Sequence, residues 1–467
     1  MPAVVLVLDL GTSSCKGALY TESGESVARA QFSYPIHYPR RGFAEQEAED
    51  YVLAARAVMQ ELAATPDVSI AAIGFSTQTP TLVFCDEKGQ PLCPAIIWQD
   101  SRAGEEASWL SARHDEATRE DWFGMDLPIA AATTPPKLLW VKRNLLSVWA
   151  RVRWVMQPKD YVAFRLTGVF ATDRWCAKGL ANLETGDMHP DYLEVLGKPD
   201  SISPPVFSTR HVLGEVTSAD WGVPKGTPVT VGWSDAMAAI LATGALHQSE
   251  RGFVLTGTSE IVGVSRRESL VAQGLFLVPP AILESDGIYL HYGPTQCGGS
   301  SLQWMANLLG KTTEEILPEE TSLTPVLCRP YWQGERAPYW DHTLTASFDG
   351  LLQSHTSKDM VTAVLQGVAL QERLLIQLSE RGTNATEIVL AGGAARNAAW
   401  NQLRADIHQK PLRVMRDTEA SLRGAAMLAW NVGDVASWFQ ADTVEPNPVH
   451  AEQAAHLLER FRRRPQL

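Results

Sequence analysis

The segment VVLVLDLGTSSCKGALY, from Val4 to Tyr20, decides the fold of this chain. Its first residues form a short β-branched and aliphatic run that ends at a Gly-Thr-Ser-Ser turn, which favours a strand over a helix. The chain then returns through a second short run that begins at Lys16. The segment therefore predicts a β-hairpin.

The turn of this hairpin carries groups that suit a phosphate. Gly11 lets the backbone approach a ligand closely, and the hydroxyls of Thr12 and Ser13 can donate to an anion together with the N–H groups of the turn. Asp9 lies beside them, and a carboxylate next to a bound anion requires a cation such as the Mg²⁺ carried by a nucleotide. An ordinary hairpin with a polar loop is the alternative.

Length and composition limit the class of protein. A chain of 467 residues is long enough for two large domains or three smaller ones. A hydrophobic content of 45% and a charged content of 20% are typical of a globular protein. The formal net charge of -13 argues against nucleic acid or an anionic membrane as a partner.

The six cysteines are scattered, with no Cys-x-x-Cys pair, so the sequence indicates neither a zinc site nor a disulfide framework. The chain has no run of about 18 apolar residues and no charged leader followed by an apolar stretch. We therefore expect free thiols, no membrane partner and a cytoplasmic location.

A strand, a helix and a second strand follow one another in the first 80 residues, which predicts an α/β domain. The second strand, Ser69 to Ser76, ends in the polar segment that contains Gln78 and Thr79. Ligands of open α/β sheets lie beyond the carboxyl ends of the strands, so these two residues are candidate substrate contacts. A turn closed by Pro80 is the alternative.

Trp98, Asp100 and Arg102 follow another strand pattern. An indole face suits the C–H groups of a polyhydroxylated molecule, and charged forks suit its hydroxyls. A local ion pair between Asp100 and Arg102 is the ordinary alternative.

The segment from Pro228 to Ile240 predicts a strand, a glycine turn and an alanine-rich helix with Ser234 or Asp235 as its N-cap. Capping is the usual role of such an aspartate. Asp235 is singled out because it follows the strand end directly, at the close of the first half of the chain.

The opening hairpin recurs at Phe253 to Val264. Aligned on Gly-Thr-Ser, the apolar run, the turn of Gly257, Thr258 and Ser259, and the return strand all repeat, whereas the position of Asp9 is taken by a leucine. This internal repeat predicts two related halves, each beginning with a phosphate-binding hairpin.

A third glycine turn, Gly392-Gly393, connects a predicted strand to a helix that begins near Asn397. Glycines between a strand and a helix N-terminus can accept the phosphates of a nucleotide or let its ring lie against the backbone.

With these segments in place, the chain resembles the FGGY family of carbohydrate kinases, within the actin, heat-shock-chaperone and hexokinase ATPase superfamily. The resemblance extends from Val4 to about Val432. Its motifs follow the family order: DLGTSSCKGALY, FAEQEAEDY, IIWQDSRA, PPKLLWVKRN, PKDYVAFRLTG, GWSDAMAA, GTSE, YWQGERAPYWD, FDGLL and AGGAARNAAWNQLRADIHQKPL.

The resemblance implies two ribonuclease H-like (actin-like ATPase) α/β domains, each a mixed sheet with flanking helices, around a central cleft that closes to exclude water. Residues 1–246 would form the sugar-binding domain with the Asp9 hairpin and Asp235. Residues 247–467 would form the nucleotide-binding domain with the Gly257 hairpin and the Gly392-Gly393 turn.

The resemblance also implies a role for each candidate residue. Asp235 would be the catalytic base and contact the sugar, and Asp9 would position the Mg²⁺ of Mg-ATP. The ATP-binding residues would be Gly11, Thr12, Ser13, Lys16, Gly257, Thr258, Ser259, Gly392, Gly393 and Asn397. The sugar pocket would be lined by Gln78, Thr79, Trp98, Asp100 and Arg102.

The acceptor would be a small sugar or polyol, and a pentulose such as xylulose fits the general pattern best. Xylulokinase-like members carry Met-His, and glycerol kinases Arg-Glu, where this chain has Thr79-Pro80. A polyol or sugar acid of the glycerol, erythritol or gluconate type is therefore the alternative. A non-metabolic actin-like ATPase would not explain the sugar-side motifs, and a sugar-sensing pseudokinase would not need both Asp9 and Asp235. The resemblance leaves room for a homodimer.

Overall fold

The chain divides into two compact units in the structure, a computed structural model that describes residues 1–269, 272–320, 322–380, 382–433 and 435–463. The first unit consists of Met1–Ala238 and Ser421–Asp434, and the second of Ala239–Ala420 and Val435–Leu467. In the described ranges, no helix has the length and apolar character needed to cross a bilayer. All six cysteines carry free thiols.

The strands and helices have the following bounds. The strands are β1 Ala3–Leu10, β2 Ser14–Thr21, β3 Ser26–Ser33, β4 Glu45–Gln46, β5 Ser69–Thr77, β6 Val83–Cys85, β7 Ala95–Ile96, β8 Trp154–Met156, β9 Thr172–Asp173, β10 Val206–Phe207, β11 Val212–Glu215, β12 Pro228–Thr230, β13 Trp233–Ser234, β14 Arg251–Thr256, β15 Glu260–Arg266, β16 Phe276–Val278, β17 Tyr289–Pro294, β18 Leu327–Arg329, β19 Ser347–Asp349, β20 Glu387–Gly392, β21 Leu412–Met415 and β22 Ala441–Val444. The helices are α1 Ala48–Ala63, α2 Gly104–Arg113, α3 Glu116–Phe123, α4 Thr134–Asn144, α5 Leu146–Arg151, α6 Pro158–Thr167, α7 Pro190–Leu196, α8 Asp235–Ala242, α9 Pro280–Leu283, α10 Gly299–Leu309, α11 Thr313–Ile316, α12 Ser357–Glu380, α13 Ala398–His408, α14 Ala420–Ala429 and α15 Ala451–Arg462.

The first unit is built on a mixed sheet in the order β11-β12-β5-β1-β2-β3, with β13 also paired to β5. Gly17 of β2 contacts α1, and Gly74 of β5 contacts α14. These glycines pair with Leu8 and Val7, which are consecutive on β1 and so point to opposite faces of the sheet. Both faces of β1 are therefore covered, which explains its continuous apolar run.

The second unit repeats this design in the sheet β16-β17-β15-β14-β20-β21-β22. Strand β14 pairs antiparallel with β15 and parallel with β20, as β1 pairs with β2 and β5. The first hairpin turn, residues 11–13, corresponds to the second hairpin turn, residues 257–259. The internal repeat and the mixed α/β sheets that the sequence predicted are thus present.

Helix α14 returns to the first unit after most of the second unit has been completed. Trp430 Nε1 donates to the carbonyl of Tyr20 at 3.1 Å, and Arg423 Nη1 donates to that of Gly24 at 3.0 Å. The sequence-based boundary between residues 246 and 247 assigned this segment to the second domain. No local pattern marks its return, because the contacts that hold it join residues about 400 positions apart.

The C-terminal segment is more ordered than its charge suggests. The four arginines between Arg460 and Arg464 predict a charged, frayed chain end, but α15 continues to Arg462 with Leu457 and Phe461 buried. Arg329 Nη2 donates to the carbonyls of Arg460 and Arg463 at 2.6 and 2.7 Å, which satisfies carbonyl groups at the helix end. The expectation is wrong for the described part of the segment, and Arg464 lies outside the described residues.

The close approach of α14 to α8 predicts a strong effect of one methyl group. A Cβ atom at Gly424 would lie 1.8 Å from the carbonyl oxygen of Ala238, so Gly424→Ala forces the helices apart. We expect a cost of about 3 kcal/mol, which lowers the melting midpoint by roughly 6–12 °C at about 2–4 °C per kcal/mol. Gly433→Ala is the matched control because its Cβ meets no atom within 4 Å. Equal midpoints for the two variants would contradict this packing.

Candidate active site

Asp9 lies near the end of β1, next to the first hairpin turn, and is 9% exposed. The parallel register of β1 and β5 sets Ser76 beside it, and the Ser76 hydroxyl donates to Oδ1 at 2.7 Å. The Ser421 hydroxyl, in the first turn of α14, donates to Oδ2 at 2.8 Å. Both carboxylate oxygens of Asp9 are therefore oriented by hydroxyl donors from separate elements.

The first hairpin turn leaves its predicted anion-binding groups accessible. Ser13 is exposed, and Gly11 and Thr12 are partly exposed. Lys16 stands opposite Asp9 in the antiparallel register of β1 and β2, so the two side chains are neighbours on one face of the sheet. The structure therefore places a carboxylate and an ammonium group next to this turn.

Asp235 begins α8 directly after β13, the short strand that pairs with β5. The Ser234 hydroxyl accepts from the Met237 amide at 3.3 Å and so caps the helix. Asp235 Oδ1 accepts from the Ala236 amide at 2.7 Å. Among the described residues Oδ2 has no hydrogen-bond partner, so the carboxylate can accept a proton from a ligand.

The surroundings of Asp235 favour its neutral form. Its side chain is only partly exposed, and burial together with the negative charge of Asp9 raises the pKa of Asp235 to about 7. Hydrogen bonding from the Ala236 amide opposes this rise without cancelling it. Two carboxylates that influence each other in this way also form a region that attracts a cation.

A chain of hydrogen bonds orients Gln78 at the end of β5. The Gln46 amide group donates to the carbonyls of Thr12 and Pro35, so its oxygen must point the other way. That oxygen accepts from the Tyr51 hydroxyl and from Gln78 Nε2. Gln78 is 1% exposed, and its Oε1 remains an acceptor without a partner among the described residues. A buried unpaired acceptor is costly unless a donor from a ligand or a water satisfies it.

Trp98 is joined to the same region, because its Nε1 donates to the Thr12 hydroxyl at 2.9 Å. Thr79 is partly exposed next to Gln78. The structure therefore brings three of the predicted sugar-pocket residues, Gln78, Thr79 and Trp98, to the side of the first unit that carries the first hairpin turn.

Asp100 and Arg102 form the local ion pair that the sequence left open as the alternative. Arg102 Nη2 lies 2.7 Å from an oxygen of Asp100 and 2.7 Å from Glu45, and the guanidinium stacks on Phe43 at 3.8 Å and Trp140 at 4.8 Å. Asp100 is fully buried and the side chain of Arg102 is 3% exposed. A direct sugar contact by this pair stays a prediction, and the geometry favours a structural role.

A pocket of about 720 Å³ lies in the second unit, next to the second hairpin turn. It brings together four predicted residues, Gly257, Thr258, Gly393 and Asn397. The rest of its lining comes from Gly299, Ser300, Leu302, Gln303, Thr313, Glu314, Leu317, Ala394, Arg396 and Trp400. Its volume is that of a typical small-molecule site.

The glycine turn at this pocket depends on close backbone packing. Gly392 has a φ of 103°, and a Cβ there would lie 2.1 Å from the carbonyl oxygen of Thr256. A Cβ at Gly393 would meet nothing within 4 Å, so that residue presents open backbone. The Asn397 side chain accepts from the Trp400 amide at 2.7 Å and caps α13. Ser259 is not part of the pocket lining, and its hydroxyl accepts from Arg336 at 2.9 Å.

Sequence reasoning missed several residues that hold the site together. Gln46, Ser76 and Ser421 orient Gln78 and Asp9, and Lys137 Nζ donates to the carbonyl of Ile97 at 2.7 Å next to Trp98. Gln46 and Lys137 lie inside the motifs that carry the family resemblance, and this position was the signal in the sequence that could have identified them. Ser76 and Ser421 gave none, since a serine at a strand or helix end is common.

Most of the chain matches two family models. Residues 4–242 match the N-terminal domain of the FGGY family of carbohydrate kinases, and residues 252–431 match its C-terminal domain. The chain belongs to this family. It is therefore a carbohydrate kinase that takes its phosphate from ATP and transfers it to a small-molecule acceptor.

Individual relatives agree with the family. The chain is 29% identical to a xylulose kinase of Lactococcus lactis, over 91% of this chain and 87% of the relative. It is 26% identical to a gluconokinase of Bacillus subtilis, over 92% and 87%. The structure of a ligand-bound xylulose kinase from Lactobacillus acidophilus superposes with a TM-score of 0.88 at 25% identity, covering 98% of this chain and 97% of that one. The predicted two-domain α/β fold is confirmed.

The raised pKa of Asp235 predicts a pH-dependent effect on stability. With a folded pKa near 7 and an ordinary value of 3.8, the folded state retains a proton that the unfolded state releases, so this group lowers stability increasingly between pH 4 and 7. Asp235→Asn removes the group, so its melting midpoint should exceed that of the wild type by little at pH 4 and by several degrees, roughly 2–4 °C per kcal/mol gained, at pH 8.

This measurement uses protein without nucleotide or metal. In an Asp9→Asn background the gain from Asp235→Asn should shrink, because the charge of Asp9 is one cause of the shift. A difference in midpoint that does not change with pH would contradict the electrostatic argument.

Proposed function

We propose that this enzyme phosphorylates a hydroxyl group of a pentulose such as xylulose, with Asp235 as the base. The observation that carries the assignment of Asp235 is its position: it is a partly buried carboxylate directly after β13, with a free Oδ2 and a pKa of about 7. A base works best when its pKa is close to the operating pH. The similarity to the xylulose kinase of Lactococcus lactis supports the pentulose.

The reaction exchanges one P–O bond for another. The sugar oxygen bonds to the γ-phosphorus while the bond from that phosphorus to the β–γ bridging oxygen breaks and ADP leaves. The hydroxyl proton passes to Asp235 Oδ2. A sugar hydroxyl is a weak acid, so Asp235 first orients the oxygen and accepts the proton late in the transfer.

Gln78 supports recognition of a hydroxyl group. One N–H of its Nε2 is bonded to Gln46, and its Oε1 is a buried acceptor without a partner among the described residues, so a sugar hydroxyl can donate to Oε1. Thr79 and Trp98 complete the sugar side, with the indole providing an apolar face for C–H groups. A ligand carboxylate next to Gln78 Oε1 would be unfavourable, because both groups are hydrogen-bond acceptors.

Asp9 fits the Mg²⁺ that accompanies ATP. Mg²⁺ is commonly held by one or two carboxylates together with phosphate oxygens and water, so it needs no larger cluster of protein ligands. Among the described residues no group of three or more His, Cys, Asp or Glu could hold a metal. The charge of Asp9 raises the pKa of Asp235, which marks a place for a cation. When bound, Mg²⁺ neutralises charge on the phosphates.

Two surfaces are assigned to the nucleotide. In the first unit, Gly11, Thr12, Ser13 and Lys16 would contact phosphates. In the second unit, the 720 Å³ pocket would take the nucleoside, with Gly257 and Thr258 at its phosphate end and Gly393 and Asn397 along its wall. Ser259 and Gly392 lie next to these residues in the chain, outside the pocket lining, and stay predicted nucleotide contacts. Backbone amides at glycine turns favour phosphate oxygens.

A sugar acid is the second candidate for the acceptor. The similarity to the gluconokinase of Bacillus subtilis covers as much of the chain as the similarity to xylulose kinase. The Thr79-Pro80 pair also departs from the Met-His of xylulokinase-like members. Erythritol and glycerol are further polyols of suitable size. A cytoplasmic location, the lack of a nucleic-acid partner and a homodimer stay predictions.

Replacing the base should separate chemistry from binding. Asp235→Asn keeps the size of the side chain but cannot accept the proton, so we expect kcat to fall by about 10²–10⁴. ADP affinity, measured by calorimetry, should change by less than a factor of two. Asp220→Asn, an exposed aspartate in the same unit, is the control and should retain full activity. An Asp235→Asn enzyme with normal turnover would refute the assigned role.

A substrate panel tests the acceptor. We expect xylulose or another pentulose to give the highest kcat/KM for ADP release, at least about tenfold above gluconate, glycerol and erythritol, because one well-placed hydroxyl contact is worth about 1.4 kcal/mol or more. The Asp235→Asn enzyme supplies the background rate. Preference for gluconate would support the second candidate, and no stimulation by any acceptor would favour a sugar-binding regulator.

A further inference from the structure

The two hairpins differ in their charged residues. In the alignment on Gly-Thr-Ser, the positions of Asp9 and Lys16 are taken in the second hairpin by Leu255 and Val262. The second hairpin turn therefore has no charged side chain from its own strands at these places. Nucleotide phosphates carry several negative charges, and a chain with a net charge of -13 provides no general positive field for them.

Arg336 supplies a positive charge at this turn from a distant loop. Its Nη2 donates to the Ser259 hydroxyl at 2.9 Å, and its Nε donates to the carbonyl of Thr295 at 3.1 Å. Thr295 is bonded in turn to Glu260, the residue that follows Ser259, through amide–carbonyl and amide–hydroxyl hydrogen bonds of 2.8 and 2.9 Å. The guanidinium is thus fixed along one edge.

The other edge of the guanidinium remains available. Among the described residues, Arg336 Nη1 has no hydrogen-bond partner, and no carboxylate lies within ion-pair distance of Arg336. The neighbouring Glu335 does not fill this role, because its carboxylate accepts from the backbone amides of Gln296, Cys297 and Arg336. Arg336 is partly exposed. A fixed guanidinium with a free donor and no carboxylate in direct ion-pair contact is well suited to a phosphate.

The loop that carries Arg336 is held rigidly. Next to it, the Ala337 amide donates to the carbonyl of Pro294 at 3.0 Å, and Gln371 Nε2 donates to the carbonyl of Ala337 at 2.8 Å. Trp340 Nε1 donates to the carbonyl of Gly274 at 2.9 Å. Groups fixed before the reaction stabilise developing charge without the cost of reorganisation.

We propose that Arg336 is a catalytic residue whose Nη1 donates to phosphate oxygens of the nucleotide at the second hairpin turn. The inference rests on the proposed placement of the phosphates at Gly257, Thr258 and Ser259. As the bond between the γ-phosphorus and the bridging oxygen breaks, negative charge grows on the departing ADP and on the transferring group, and the guanidinium stabilises it.

A comparison of ADP with AMP, which has one phosphate fewer, tests the proposed contact. For Arg336→Gln we expect calorimetry to show a loss of about 10- to 100-fold in affinity for ADP and less than twofold for AMP, if the contact is to a phosphate beyond the first. With the acceptor from the substrate panel, kcat should fall by about 10²–10³, the loss typical for one preorganised donor. Arg336→Lys should recover part of the ADP affinity, because it keeps the charge but not the planar fork.

Two controls separate direct contact from support of the loop. Gln333→Ala changes an exposed residue of the same loop and should bind ADP and AMP like the wild type. Ser259→Ala removes the anchor of Arg336 but leaves its charge, so its loss should be smaller than that of Arg336→Gln. Equal losses for these two variants, or equal losses of AMP and ADP affinity with a lowered melting midpoint, would overturn the direct contact.

Failure of the proposed kinase function would give other results than failure of the role of Arg336 alone. A wild-type enzyme that binds AMP and ADP equally, or releases no ADP with any acceptor, would contradict the proposed function itself. Preferential binding of ADP by the wild type, retained in full by Arg336→Gln, would overturn only the role of Arg336.

Discussion

The parallel pairing of β1 with β5 is the constraint on which the first unit depends. Its register sets Asp9 beside Ser76, and β13 extends the same sheet so that Asp235 emerges next to the end of β5. The two carboxylates are thereby close enough that the charge of Asp9 contributes to the raised pKa of Asp235. A hairpin alone could not achieve this, because a two-stranded element does not bring a third strand end to the site.

The second unit uses the same pairing for a different purpose. Strand β20 runs parallel to β14, and this brings Gly392 against the backbone of Thr256 and opens the pocket beside the second hairpin turn. The first hairpin has an aspartate and a lysine in its strands. The second has apolar residues there and takes its positive charge from Arg336 on a separate loop. The same hairpin backbone thus lies next to a carboxylate in the first unit, which suits a cation, and next to a guanidinium in the second unit, which suits an anion.

Several elements of the site could be predicted because their signals are local. The apolar run and glycine turn of each hairpin, the strand that ends at Asp235, and the Gly392-Gly393 turn all lie within about a dozen residues. Other assignments depended on distant partners. The Asp100–Arg102 pair has the composition of a sugar contact, but Glu45, Phe43 and Trp140 enclose it. Neither the return of α14 nor the oxygen of Ser421 near Asp9 has any trace in the neighbouring sequence.

The sequence by itself determined the class of fold, the repeat of the hairpins, membership of the carbohydrate kinase family and the identity of Asp235 as the candidate base. Short-range patterning and turn chemistry suffice for the fold class and the repeat, whereas the family and the role of Asp235 came from the resemblance of ten ordered motifs to the carbohydrate kinases. Only the tertiary structure decided which atoms remain available: the Oε1 of Gln78, the Oδ2 of Asp235 and the Nη1 of Arg336. The physical reason is that a hydrogen-bonding group is free or engaged according to its neighbours in space, and here those neighbours come from strands, helices and loops far apart in the chain.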